Sequence, residues 1–119
     1  MPFARDRGGL VLPAPTDVFF SDVNVVEPDV VFVRADHLKR VEKKFIRSAP
    51  DVVVEVSSPT TRRLELVRKR ELYERFGVPE YWFVDLDADR IEVYRLEGSR
   101  YPAPMLFGRG QELESPQVP

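Results

Sequence analysis

The stretch Asp51-Val-Val-Val-Glu-Val56 constrains the chain more than any other. An unbroken β-branched run of this length, opened by Pro50, predicts a strand buried on both faces. Side chains alternate along a strand, so Val53, Glu55 and Ser57 share one face and Val52, Val54 and Val56 the other. Glu55 therefore loses water on folding. A carboxylate in that position must be protonated, paired or bound to a cation.

The flanking sequence sets the architecture. Residues 1–17 are rich in proline, glycine and charge and predict an irregular arm with one edge strand at Leu10-Val11-Leu12. Val18-Phe19-Phe20 predicts a short strand. Asp29 to Arg34 is a near-continuous apolar strand opened by Pro28, a position where a strand tolerates proline. Residues 36–47 predict a short helix followed by a mobile basic loop. After the Glu55 strand, Ser57 to Thr61 form a turn that can cap a helix over 62–76. Gly77 ends that helix, with Pro79 just beyond. Tyr81 to Leu86 and Arg90 to Leu96 read as a hairpin around Asp87-Ala88-Asp89. Residues 97–119 hold four prolines and are expected to straggle over the surface. A helix between the strands at 51–56 and 81–86 predicts a parallel, right-handed crossover. The expected fold is α/β, bordering on α+β, as a single domain over residues 1–119 with a mixed sheet.

Composition removes several classes of function. The 119 residues are 43% hydrophobic and 32% charged, which suits a globular domain. Absence of cysteine excludes disulfides and thiolate metal sites. No stretch approaches the ~20 apolar residues of a membrane span, and the N-terminus has no signal-peptide core. A soluble cytoplasmic protein is expected. The net charge of −2 and a pI near 5.5 are not the overall basic footprint of a nucleic-acid binder. Basic residues do gather over 34–47, however, with Arg34, Lys39, Arg40, Lys43, Lys44 and Arg47 against Asp36 and Glu42. Such a cluster is either a binding surface or a solvated face, and Lys43, Lys44, Arg62 and Arg63 are the candidate DNA contacts.

The helix supplies a second anomaly. At about 100° per residue, Leu66, Leu72, Tyr73 and Phe76 form one apolar stripe with Lys69 at its centre. An ammonium on that face needs carboxylates nearby, and Asp29 and Glu55 are the candidates. These two acids with the Val56 carbonyl suit a hard cation such as Mg²⁺, beside which Lys69 can orient a water or neutralise a phosphate. A structural Glu55–Lys69 pair is the plainer reading. Elsewhere, His37 reads as a surface histidine, Asp51 as solvent-facing and Asp85 as a turn cap. Tyr73, Tyr81 and Trp82 read as core, and Gly8-Gly9 as flexible chain. Ser57 and Ser58 have no histidine-based triad to join.

Taken in order, Pro28-Asp29, Glu55-Val56-Ser57, Lys69-xxx-Tyr73 and Gly77-Val-Pro-Glu-Tyr-Trp-Phe-Val-Asp85 resemble the Uma-type family over roughly residues 10–100. This is a bacterial family of restriction-endonuclease-like proteins within the PD-(D/E)xK nuclease superfamily. The resemblance implies a restriction-endonuclease-like central mixed sheet flanked by helices, with Mg²⁺-dependent cleavage of DNA and Mn²⁺ as a substitute. It matches Asp29 to the first acid and Glu55 to the second. The superfamily's lysine would fall at Ser57, and in this family its place is that of Lys69. Glu65 matches a commonly acidic position, and with Tyr73 and Ser57 it would surround the three. Relatives carry a longer segment before the first acid. The resemblance therefore implies an N-terminally short member, with an exposed edge or apolar face that favours homo-oligomers. A catalytically inactive nuclease fold for DNA binding or protein interaction is the second reading.

Overall fold

A computed structural model of the chain describes residues 4–6, 9–42 and 45–118. The elements run β1 (Ala4–Asp6), β2 (Gly9–Pro13), β3 (Asp17–Phe19), β4 (Val25–Val26), β5 (Val30–Arg34), a 3₁₀ helix (Ala35–Arg40), β6 (Phe45–Arg47), β7 (Val52–Ser57), α1 (Pro59–Arg75), β8 (Glu80–Asp85), β9 (Arg90–Arg95) and β10 (Met105–Phe107). Among the described residues there are two sheets. The larger has seven strands in the order β1-β2-β5-β7-β8-β9-β10, and the smaller has the order β4-β3-β6. In the larger sheet only β7 and β8 are parallel, as expected of strands joined by a helical crossover.

Register explains the core. Leu12 lies opposite Val31, Val31 opposite Val53, Val53 opposite Tyr81 and Tyr81 opposite Tyr94. This row crosses five strands on one face, and Leu66 and Tyr73 of α1 join it in a single buried cluster. Val31, Val53 and Tyr73 are fully buried, and each such side chain contributes about 1.5–3 kcal/mol by leaving water. The same cluster takes in Val18 and Ile46 of the smaller sheet.

Both helix ends are fixed. Gly77 at φ 77° makes the left-handed exit, with the Val78 N–H donating to the Tyr73 carbonyl at 3.0 Å. At the other end Ser58 makes no side-chain capping bond to the helix, contrary to expectation. The cap comes from the β8–β9 turn instead: Asp87 Oδ2 accepts the Thr60 N–H at 3.2 Å and the Thr60 hydroxyl at 3.0 Å. Those two bonds, with a further one from the Ser58 side chain, hold the Asp87 carboxyl below its ordinary value.

Several expectations need correction. The N-terminal segment is a hairpin whose second strand, β2, sits inside the sheet between β1 and β5. Gly9 is a packed residue there: its φ is 138°, and a Cβ would lie 2.3 Å from the Val33 carbonyl oxygen. The basic stretch yields a 3₁₀ helix and then β6, which pairs in parallel with β3 because Ile46 has a core position to fill. Lys43 and Lys44 lie outside the described residues. Flanking helices are reduced to α1, the one α-helix among the described residues. The far face of the sheet instead meets the C-terminal segment: Glu80, fully buried, accepts the Ser115 hydroxyl at 2.8 Å and the Trp82 indole N–H at 2.7 Å. Tyr101 donates its hydroxyl to the Val78 carbonyl at 2.7 Å, and β10 pairs with β9 at the sheet edge. Buried polar anchors therefore order a segment whose prolines suggested otherwise. No helix among the described residues is long and apolar enough to cross a membrane.

Candidate active site

Asp29 and Glu55 meet because of strand register. In the β5–β7 ladder Val30 lies opposite Val54 and Val31 opposite Val53. One step further along the same ladder sets Asp29 opposite Glu55, on the face that carries α1, where directly opposed side chains are neighbours. Asp29 is exposed just before β5, and Glu55 is buried at 4% exposure. Asp29 Oδ2 accepts the Val56 N–H at 2.7 Å. In an extended residue the N–H and C=O point to the same edge, so the Val56 carbonyl also faces Asp29's side of β7.

α1 brings the remaining groups. Tyr73 donates its hydroxyl to Glu55 Oε2, and Lys69 Nζ lies 3.4 Å from the same oxygen. The other oxygen, Oε1, takes part in neither contact. Lys69 Nζ is also 3.7 Å from Glu65 Oε1. Glu65 in turn is held by Arg62, whose Nε donates to Oε2 at 3.1 Å and whose Nη2 donates to Oε1. Arg62 Nη1 stands 3.5 Å from Ser57 Oγ, at the end of β7. Arg63 turns away into a cleft of about 340 Å³ between α1 and the β8–β9 hairpin, shared with Arg70, Phe83, Asp85, Glu92 and Tyr94.

Burial pushes the Glu55 carboxyl above its ordinary value, and the negative charge of Asp29 adds to this. The Tyr73 hydroxyl and the Lys69 ammonium oppose the shift without cancelling it. Burial, together with the charge of Glu55, raises Tyr73 and keeps it a hydrogen-bond donor. Glu65 goes the other way, lowered by its bond to Arg62 and by Lys69. No group of three or more histidine, aspartate or glutamate side chains placed to share a metal ion occurs among the described residues.

Asp29, Glu55, Val56, Lys69, Tyr73 and Glu65 thus converge, with Arg62 and Ser57 at the rim. Tyr73 is both core and site, which its spacing of one helical turn from Lys69 already allowed. Asp51 corrects the expectation of a solvent-facing acid. It is buried, with Oδ2 accepting the Arg34 N–H at 2.7 Å and Oδ1 lying 2.8 Å from His37 Nδ1. His37 is accordingly a half-buried partner of an acid, not a free surface histidine. Strand parity placed Asp51 on the same face as Glu55 and was the signal for its burial. Asp85 caps its turn as expected, accepting the Asp87 and Ala88 N–H groups at 3.0 and 2.9 Å.

The profile of the Uma2 family, described as "Putative restriction endonuclease", matches residues 1–119. The chain belongs to the Uma2 family. No curated protein matches it. Among solved structures it is similar to a protein from Anabaena variabilis ATCC 29413 described as a putative nuclease belonging to DUF820, with a TM-score of 0.72 at 20% identity over 95% of this chain. The Uma2 chain spans 61% of that neighbour's length. A mixed sheet with few helices, superimposable on this neighbour, gives the Uma2 chain the restriction-endonuclease-like fold.

Proposed function

We propose that this Uma2 protein is a Mg²⁺-dependent endonuclease that hydrolyses DNA phosphodiester bonds at Asp29, Glu55 and Lys69. The observation that carries the reading is the buried Glu55, held by Tyr73 and Lys69 and set opposite a second carboxylate. Burial holds the Glu55 carboxyl above its ordinary value even with a lysine beside it, and a hard cation bound there would offset that cost. The family's description as restriction endonucleases supports the same reaction class.

The donor set fits the cation. Mg²⁺ prefers hard oxygens and is commonly held by one or two carboxylates plus waters and substrate phosphate. Asp29, Glu55 and the Val56 carbonyl would hold it, and Mn²⁺ would substitute. When bound, the cation supplies positive charge that eases deprotonation of the attacking water and offsets charge on the phosphoryl group. The chain's own residues do the rest. Tyr73 fixes the Glu55 carboxylate, leaving Oε1 outside that bond. Lys69, reaching Glu55 from the helix, orients the attacking water or holds a phosphate oxygen, as the lysine at position 57 would in the wider superfamily. Arg62 and Arg63, at the start of α1, are the DNA contacts of the proposal. A cytoplasmic location and self-association through an exposed sheet edge are part of the same proposal.

Plasmid nicking with Mg²⁺ or Mn²⁺, comparing the wild-type chain with Lys69→Ala, tests the reading. Nicking by the wild type that is lost in the variant is the expected result. No cleavage by the wild type with either metal, on supercoiled or single-stranded DNA, would overturn it in favour of a non-catalytic nuclease fold.

A further inference from the structure

The first turn of α1 carries a break. Arg62 has φ −138° and ψ 25°, far from helical values. Sharp departures inside helices usually trace to glycine or proline, but α1 holds no glycine and its proline, Pro59, sits at the first helical position, where it fits a regular helix. The break instead coincides with side-chain contacts that point the guanidinium toward the acids. Arg62 grips Glu65 through two nitrogens and two oxygens, fork to fork. Its third nitrogen reaches Ser57 at the end of β7. The charges of Glu55 and Asp29 are both felt at Arg62.

Glu65 therefore stands between two cations. Arg62 holds it from one side, and Lys69 Nζ lies 3.7 Å away on the other. Lys69 is at the same time 3.4 Å from Glu55. The planar fork that fits two carboxylate oxygens also fits two oxygens of a phosphodiester. Glu65 and Arg62 are both largely exposed, at 52% and 42% of their side chains. An ion pair in that setting is weak and exchanges easily. Glu55 and Asp29 repel a phosphate in the absence of metal, so Arg62 and Lys69 are the groups at this rim that attract one.

We infer that Arg62 and Lys69 form an anion cradle in which Glu65 holds the place of a DNA phosphate, and that the phosphate displaces Glu65 when nucleic acid binds. The identity of the ligand rests on the nuclease reading, whereas the cradle itself consists of this chain's cations. Glu65 is then a built-in competitor that keeps the cradle occupied between substrates. Arg62 is a positioning residue that exchanges a carboxylate for a phosphate at the entrance to the acid site.

Binding of a short DNA duplex, followed by fluorescence anisotropy in EDTA across a salt series, tests this without any reaction. Glu65→Gln should tighten binding roughly two- to fivefold at low salt, as expected for removal of an exposed competing charge. Arg62→Ala should weaken binding and lower the salt slope by about one. Arg62→Lys should restore the slope but only part of the affinity, since an ammonium cannot reproduce the fork. Glu65→Gln binding no tighter than wild type, an unchanged slope in Arg62→Ala, or no measurable binding by wild type and Glu65→Gln alike would overturn the inference. Plasmid nicking separates the two claims. Tighter binding by Glu65→Gln with no cleavage keeps the cradle and removes the nuclease reading. Cleavage with unaltered binding does the reverse.

Discussion

Glu55 lies within β7 and Asp51 just before it, two acids on the same face, one on each side of the central core row. Both are buried, yet their surroundings differ. Asp51 is matched by a backbone N–H and an imidazole, one on each oxygen. This acid is satisfied by the fold. Glu55 has both its helix contacts on a single oxygen and faces Asp29, so burial and a like charge leave it raised. A buried acid with its hydrogen bonds complete is structural. A buried acid short of positive charge and opposed to a second acid is where a protein places chemistry.

That contrast can be broken by exchange of roles. The largest effect should come from the Glu55 side: Lys69→Ala should lower plasmid nicking by about 10²-fold, whereas Asp51→Ala, assayed where it remains folded, should nick within about twofold of wild type. An equal loss in both would dissolve the distinction. In stability the order should reverse. Asp51→Ala strands the Arg34 N–H and the His37 ring and should cost about 3 kcal/mol in urea unfolding. Glu55→Gln, measured in EDTA, should lie within about 1 kcal/mol of wild type or above it, because it removes a charge that burial opposes. A Glu55→Gln chain as unstable as Asp51→Ala would make Glu55 another structural acid.

The smallest effect concerns how α1 is held over the acids. Asp87→Ala should lower Tm by a few degrees near neutral pH through loss of the Thr60 bonds. The folded-state value of Asp87 is lowered, so its contribution is present above the ordinary aspartate value and is lost as pH falls through the folded one. The difference in Tm between wild type and variant should therefore vanish in acid. A difference that persists there would assign the effect to something other than the carboxylate. Nicking by Asp87→Ala should stay near wild type, which separates holding the helix from doing the chemistry.

The elements with strong local signals were legible in the sequence. The β-branched run gave β7, strand parity put Glu55 on an inward face and Asp51 on the same face without its burial being read, and the helical wheel turned Lys69 inward. Gly77 marked the helix exit, and the polar triplet at 87–89 marked the hairpin. Elements made by long-range pairing were not legible. β2 is an inner strand only because β1 and β5 flank it, β6 because Ile46 fills a space beside Val18, and β10 because β9 offers an edge. In the site, the opposition of Asp29 and Glu55 depends on a register that two separated strands do not announce. The Asp87 cap and the Asp51–His37 pair escape for the same reason, since each joins residues distant in sequence.

The claim that Asp29 and Glu55 act as one cation site, and Asp51 does not, is tested most directly by calorimetric titration of Mg²⁺ into the wild-type chain, Asp29→Ala, Glu55→Ala and Asp51→Ala. Binding by the wild type and by folded Asp51→Ala, with loss in both Asp29→Ala and Glu55→Ala, is the predicted result. Undiminished affinity in both of those variants would contradict it.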